Sequence, residues 1–219
     1  MSRPAVLDLR GTLPGPSELA PVAEHLEGGG LLAYPTETVY GFGGICTPDV
    51  VRRVRDLKRR ADHRPLLVLV PSAGAAGGLR WSDEARELAD VFWPGALTLV
   101  LADPGETYPP GVRSAEGTVA VRVSPHPLVA TLLRLLSAPL TSTSANAPGG
   151  APAVSGQEAL QAAVALGAGS EMLVVDVGRL APSGPSTIVD CSGPAPVVIR
   201  EGTLPVARLR CALPGLHAR

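Results

Sequence analysis

The hydrophobic positions of this chain fall into short segments that alternate between helical and strand spacing. After Thr47, a hydroxyl residue followed by a proline, the apolar residues Val50, Val51, Val54 and Leu57 recur at helical spacing. Similar patterns predict further helices at 16–28, 82–92, 127–136, 155–166 and 204–213. Short apolar runs rich in branched residues predict strands at 31–34, 66–70, 97–101, 118–123, 140–142, 172–177, 187–190 and 197–200.

This order of elements predicts an α/β fold in a single domain that spans residues 1–219. No repeat, long linker or low-complexity tract divides the chain. Some connections between predicted strands are too short to contain a crossover helix. We therefore expect an open sheet of mixed rather than wholly parallel strands.

The composition excludes several classes of protein. The formal net charge is −1 and aromatic residues make up 3% of the 219 residues, which excludes a generally polycationic nucleic-acid binder but not a local basic site. The three cysteines stand far apart and match no zinc or disulfide pattern. The chain has no apolar signal stretch, and its longest apolar run is far below the ~20 residues that cross a bilayer. We expect a soluble, reduced cytoplasmic protein that binds neither membrane nor DNA.

Polar side chains gather where predicted strands meet loops. Ligands of open α/β sheets collect in a crevice at the strand ends, so these groups are candidates for a binding site. Turn formation explains any single Ser, Thr or Asn equally well, but six groups at such junctions favour a site. The groups are Thr36-Glu37-Thr38, Lys58-Arg59-Arg60, Thr118 with Arg122, Ser142-Thr143-Ser144 with Asn146, Ser186-Thr187, and Arg200.

Lys58 is the only lysine among 19 basic residues. One interpretation is a solvated helix face, with 58–60 complementing the negative end of the helix dipole. Another is a phosphate clamp, with Lys58 and Arg60 projecting into the crevice, where a compact ammonium is needed. A third is an RNA-binding patch, which the scarcity of aromatic residues for base stacking disfavours.

The familiar signatures of other chemistries are absent. The stretch 41–44 (GFGG) lacks the spacing of a dinucleotide fingerprint, and no GxxxxGK[ST] motif occurs. The four histidines have no partner at metal-ligand spacing, so we expect no metal bound by protein ligands alone. No Ser-His-Asp or Cys-His arrangement suggests covalent catalysis. What remains is a site that holds anions and hydroxyl-bearing small molecules.

Seven short motifs in order resemble the threonylcarbamoyl-AMP synthase family, the YrdC/Sua5 proteins. Each motif is weak alone, but together they span about residues 30–202. They are YPTETVYG at 34–41, KRR at 58–60 with PL at 65–66, WPGALT at 93–98, VAVR at 119–122 with HP at 126–127, SAN at 144–146, STI at 186–188, and RxG at 200–202.

The resemblance implies a YrdC-like fold, with a twisted open sheet around a deep, positively charged cleft. It implies a nucleotidyltransferase that converts L-threonine, bicarbonate and ATP into threonylcarbamoyl-AMP and pyrophosphate, with Mg²⁺ on the ATP phosphates. A separate transferase then uses the product for the N6-threonylcarbamoyladenosine modification of tRNA, so tRNA is an indirect partner. Because the chain ends soon after Arg200, it is similar to the short, single-domain form.

The resemblance also assigns residues. Lys58, Arg60, Ser144 and Asn146 are expected around the ATP phosphates and reacting groups, and Arg200 on the nucleotide. L-Threonine is expected at Thr36, Arg122 and Ser186, with Thr118 and Ser142 nearby.

Three positions depart from the family pattern: Ala61, Leu69 and Ala153. They bear on substrate affinity more than on the reaction. Two alternatives stay open: an RNA-binding module of the same fold, and a nucleotide-binding paralogue that makes no adenylate.

Overall fold

Three of the described helices begin at the hydroxyl residues where the sequence predicts their start. A computed structural model of the chain describes residues 3–59 and 65–218. Thr47, Ser82 and Ser155 each accept a hydrogen bond from a backbone N–H of the first turn, which satisfies a donor that the helix leaves unpaired. Within the described residues the α-helices are α1 (Pro16–Glu27), α2 (Pro48–Leu57), α3 (Asp83–Phe92), α4 (Pro127–Leu136), α5 (Gly156–Ala165) and α6 (Val206–Ala212).

The described strands form one open, mixed sheet, as predicted. Their order is β1-β8-β2-β3-β7-β4-β6-β5-β9-β10-β11, and parallel and antiparallel pairs both occur. The strands are β1 (Ala5–Asp8), β2 (Leu31–Pro35), β3 (Tyr40–Ile45), β4 (Leu67–Leu69), β5 (Leu97–Ala102), β6 (Thr118–Arg122), β7 (Leu140–Ser144), β8 (Met172–Asp176), β9 (Thr187–Asp190), β10 (Val197–Arg200) and β11 (His217–Ala218).

Strand β3 is the main element that the sequence pattern does not predict, because glycines weaken a strand pattern. Its glycines are required by close approach. A Cβ on Gly43 would collide with the backbone oxygen of Thr141 on β7, and one on Gly44 would lie 2.7 Å from Val50 of α2. The small residues therefore let β3 pair with β2 and β7 while α2 packs on its other side.

The two faces of the sheet are covered unequally. One face packs against α2, α3, α5 and α6 in a large apolar core, to which β6 contributes Val119 and Val121. On the other face, α1 and α4 cover Leu32, Leu69 and Leu140 in a second apolar cluster. Because successive residues of a strand point to opposite faces, this second face also carries polar and small residues beyond these helices. They include Thr98, Ala120, Arg122, Ser142 and Ser144, and they line a cavity.

No helix in the described ranges is both long and apolar enough to cross a membrane.

Gly43→Ala tests the close approach of β3 and β7. The added methyl group must displace the backbone of β7, and such overpacking costs about 1–3 kcal/mol. We expect a lower melting temperature and a lower free energy of unfolding in denaturant titrations. Gly193→Ala is the matched control, because a Cβ there meets no atom within 4 Å. Equal stability of the two variants would contradict the packing argument.

Candidate functional site

Six of the predicted site residues line one cavity in the uncovered part of the second sheet face, whereas Lys58 and Asn146 do not line it. The cavity has a volume of about 340 Å³ and is lined from the loop after β2 and from strands β3 to β7, β9 and β10. Glycine and alanine on the strands leave space there, whereas α1 and α4 fill the equivalent space nearby. The predicted residues among its lining are Thr36, Arg122, Ser142, Ser144, Ser186 and Arg200.

Lys58 joins the end of α2 to the turn that follows β7. Its ammonium donates hydrogen bonds to the backbone oxygen of Ser144 at 2.8 Å and to Asn146 Oδ1 at 2.7 Å, and also to the Asn146 backbone oxygen. The side chain is only 7% exposed, so a solvated helix face does not describe it. Lys58 therefore holds the Ser144–Asn146 turn next to the cavity.

The turn is fixed further by its own side chains. Ser144 Oγ donates to Asn146 Oδ1 at 2.7 Å, and Asn146 Nδ2 donates to the backbone oxygen of Gly150 at 2.6 Å. The amide oxygen accepts from Lys58 as well, so the network sets the orientation of the Asn146 side chain. Two of the residues expected around the ATP phosphates are thus preorganised by the third.

Two arginines bring positive charge into the cavity. Arg122 is 4% exposed, and burial lowers the pKa of its guanidinium although nearby Glu37 opposes this. Burial also lowers the pKa of Arg200, and the charge of Arg122 adds to that lowering. Both groups stay protonated at neutral pH, because an arginine does not lose its proton in proteins. Two cations that repel each other favour an anionic ligand between them.

Hydroxyl groups line the same cavity beside the arginines. Ser186 Oγ lies 2.9 Å from Thr98 Oγ1, and Arg200 Nη2 donates to the Ser186 backbone oxygen at 2.8 Å. Thr36 Oγ1 donates to the Val39 backbone oxygen at 2.8 Å and lies 2.9 Å from Thr38 Oγ1. The hydroxyl of Thr36 therefore shapes its own turn while it lines the cavity.

The sequence places Thr38 and Thr143 in the candidate polar groups without a role and does not single out Thr98, although all three line the cavity. Thr98 carried a usable signal, since it is the one polar position in the apolar run at 97–101. Alternation along the strand places it opposite Leu97 and Leu99, which belong to the apolar core.

Other predicted residues lie elsewhere. Thr118 is two positions from Ala120 at the far end of β6, does not line the cavity, and pairs with Ser114 Oγ at 2.9 Å. Arg60 and Ala61 lie outside the described residues. Two further positions depart from the family pattern, and both are buried. Leu69 belongs to the second apolar cluster, and the backbone of Ala153 forms hydrogen bonds with the backbones of Tyr40 and Ala145.

A larger depression of about 950 Å³ lies beside α2, and none of the predicted site residues lines it. Its cations are already engaged: Arg52 pairs with Asp49 at 2.5 Å, and Arg113 pairs with Glu106 at 3.3 Å. The smaller cavity, with its hydroxyls and its two arginines, is therefore the better candidate site.

No group of three or more His, Cys, Asp or Glu residues that could hold a metal ion occurs in the part of the chain that the structure describes.

Known proteins include relatives of this chain. The Sua5/YciO/YrdC family model, described as telomere recombination, matches residues 24–202. Threonylcarbamoyl-AMP synthase of Bacillus subtilis is 30% identical over 203 residues, which cover 91% of this chain and 58% of that protein. A putative threonylcarbamoyl-AMP synthase of Mycobacterium tuberculosis is 37% identical over 188 residues, which cover 84% of this chain and 83% of the relative.

Solved structures show the same fold. Sua5 of Pyrococcus abyssi in complex with L-threonine matches 98% of this chain with a TM-score of 0.89 and 28% identity. YciO of Escherichia coli matches 95% of it with a TM-score of 0.79 at 22% identity. The chain spans 58% of the Bacillus relative and 62% of the Pyrococcus structure.

Substitution of Lys58 tests whether its ammonium organises the site. Lys58→Ala removes the ammonium that donates to the partly buried backbone oxygens of Ser144 and Asn146, and an acceptor left unpaired in this way costs about 1–3 kcal/mol. Lys58→Arg places a larger, planar group where three acceptors converge, so we expect it to fail as well. The measurements are the melting temperature and the affinity for ATP in calorimetry.

Arg59→Ala is the control for these variants, because Arg59 is the exposed neighbour of Lys58 in the sequence. We expect this variant to keep both the stability and the ATP affinity of the parent. Parent-like stability and ATP affinity in Lys58→Arg would show that neither property needs the compact ammonium.

Proposed function

The chain belongs to the Sua5/YciO/YrdC family, and from this we propose that it is an L-threonylcarbamoyladenylate synthase. In this reaction L-threonine, bicarbonate and ATP give threonylcarbamoyl-AMP and pyrophosphate. The observation that carries the proposal is the convergence of Arg122, Arg200 and the hydroxyls of Thr36, Ser142 and Ser186 on one cavity. The Lys58-bound turn flanks that cavity.

The chemistry needs groups of these types. Bicarbonate takes up a proton and loses water to give CO₂, and the uncharged amine of threonine then adds the CO₂ as a carbamate and releases a proton. A carbamate oxygen then bonds to the α-phosphorus of ATP while the bond to the pyrophosphate oxygen breaks, and pyrophosphate leaves. Phosphoryl-group chemistry of this kind depends mainly on positioning and on neutralisation of charge. Cationic and hydroxyl side chains supply both, and no protein nucleophile is required.

The site divides into two sides in this proposal. Lys58, Ser144, Asn146 and Arg200 serve the nucleotide, with Arg60 assigned there by the family motif alone. Arg122, Thr36, Ser142 and Ser186 serve threonine, with Thr98 added by its hydrogen bond to Ser186. The bound L-threonine named for the Pyrococcus protein supports an amino-acid side of the cavity. Thr118 stays a prediction, because its hydroxyl pairs with Ser114.

Mg²⁺ enters the proposal as part of the nucleotide substrate. The described residues offer no cluster of carboxylates to hold it, so we assign it to the ATP phosphates and route no step through a protein-bound ion. We also propose a cytoplasmic setting, where a separate transferase consumes the adenylate to modify tRNA. The names of the curated relatives support this role.

Formation of the adenylate is the direct test. With ATP, bicarbonate and labelled L-threonine, we expect pyrophosphate release that depends on threonine, together with labelled threonylcarbamoyl-AMP. Arg122→Gln removes a charge from the site, and we expect about 10²–10³-fold slower turnover, the usual effect of losing one preorganised electrostatic group. Arg208→Gln, on α6 and away from the cavity, is the matched control and should keep parent turnover.

Other outcomes of that assay would favour one of the two alternative functions. ATP binding without adenylate would indicate a nucleotide-binding paralogue. Salt-sensitive RNA binding that ATP and threonine leave unchanged would indicate an RNA-binding module.

Substrate preference provides a second test. We expect threonine to be preferred over serine by the modest margin of one methyl group, about 1–3 kcal/mol, and over valine by much more. Valine fills the same volume but cannot form a hydrogen bond with the hydroxyls of Thr98 and Ser186. Pyrophosphate release measured with each amino acid gives the ratios.

Thr98→Val should narrow the preference for threonine over valine, because it removes one hydroxyl of that pair. Thr131→Val is the control, since Thr131 is buried on α4 and its hydroxyl accepts from Arg134. Equal release with threonine and valine in the parent protein would overturn the assignment of the hydroxyl set.

A further inference from the structure

Three buried polar atoms without a hydrogen bond lie around Glu37, behind the cavity. Within the described part of the chain, Glu37 Oε1, Arg122 Nε and His126 Nδ1 have no such partner. Buried polar atoms are nearly always satisfied, so unsatisfied ones at a single place need a physical explanation. The family motifs assign a role to Arg122 but none to Glu37.

Glu37 is held by one oxygen and faces Arg122 with the other. Its Oε2 accepts a hydrogen bond from Ser124 Oγ at 2.5 Å, and its Oε1 lies 3.5 Å from Arg122 Nη1. That separation keeps the charges paired but exceeds the length of a good hydrogen bond. The carboxylate therefore compensates the buried guanidinium without using up its donors.

Ser124, the residue that donates a hydrogen bond to Glu37, lies just before the start of α4. Ser124 Oγ also accepts a hydrogen bond from the backbone N–H of His126, the residue that precedes Pro127. The positive end of the α4 dipole favours an anion at this position. Burial lowers the pKa of the His126 imidazole below its usual range, although Glu37 opposes this, so Arg122 is the charged partner of Glu37 at neutral pH.

We propose that Glu37 is a positioning residue that fixes the Arg122 guanidinium for the carboxylate of the amino-acid substrate. A buried cation without a compensating charge is costly, so without Glu37 the Arg122 side chain leaves its place at the cavity. With Glu37 in place, the remaining donors of the guanidinium fork stay directed at the ligand. The inference rests on the proposed function, because that function makes threonine the ligand of Arg122.

Glu37→Gln tests the proposal because it keeps the shape and the hydrogen bond to Ser124 but removes the charge. We expect the KM for threonine to rise, and threonine affinity in calorimetry to fall, by about tenfold or more, the effect of losing one hydrogen bond to a charged group. The KM for ATP should stay at its parent value. Glu106→Gln, which removes the ion-pair partner of Arg113 at the larger depression, should change none of these quantities.

A double-mutant cycle separates positioning from a general structural effect. If Glu37 acts through Arg122, adding Glu37→Gln to Arg122→Gln changes threonine affinity no further. Independent, additive effects would overturn the proposal. If melting curves show that Glu37→Gln does not fold, Ser124→Ala replaces it, since it frees the carboxylate without changing any charge. That variant should weaken threonine binding and leave ATP binding unchanged, and parent-like threonine binding would overturn the proposal.

Failure of this inference differs from failure of the proposed function. Parent protein that binds threonine but makes no adenylate would contradict the function, and threonine affinity of the variants would still decide the role of Glu37. Parent protein that makes adenylate, with unchanged threonine affinity in Glu37→Gln, would contradict the positioning role alone. Absence of threonine binding to the parent protein would overturn both.

Discussion

Among the helices of residues 3–59 and 65–218, four bury one face of the sheet, whereas α1 and α4 pack on the other face and stop short of β5, β9 and β10. The fold is stabilised mainly by the larger core, which removes the apolar side chains of nearly every strand from water. The uncovered strands are therefore free to carry polar or small residues on their second face. Alternation along β5, β6 and β7 delivers those residues into one cavity, so the unequal coverage creates the site.

The cations of the site are stabilised by different partners, and the difference bears on what each can bind. Lys58 donates to backbone and amide oxygens, and Arg200 donates to the backbone and hydroxyl oxygens of Ser186. The oxygens of Ser186 carry no net charge and do not neutralise the guanidinium of Arg200. Arg122 instead faces the carboxylate of Glu37. In the proposed assignment, the uncompensated charge of Arg200 suits the nucleotide, and the paired charge of Arg122 suits a zwitterion that carries one carboxylate.

The sequence predicts those parts of the fold that depend on residues close together along the chain. Hydroxyl caps such as Thr47 and Ser82 fix the helix starts, and apolar runs reveal most strands. Strand β3 is not predicted, because its glycines are required by close contact with β7, which lies far along the chain. The sequence places Glu37 among the candidate polar groups but gives it no role, since its partners Arg122 and Ser124 follow some 85 residues later. Roles created by contacts between distant segments leave no periodic signal.

The arrangement of hydrogen-bond acceptors around the single lysine explains why this arginine-rich chain has a lysine at that position. Three oxygens of the Ser144–Asn146 turn converge on one atom, Lys58 Nζ, at the end of α2. A tetrahedral ammonium can direct its three hydrogens to acceptors grouped in this way, whereas a guanidinium spreads its donors along a rigid planar fork. Arginine at this position would also need space that a buried site lacks. The geometry of the acceptors therefore accounts for lysine here, whichever substrate the turn contacts.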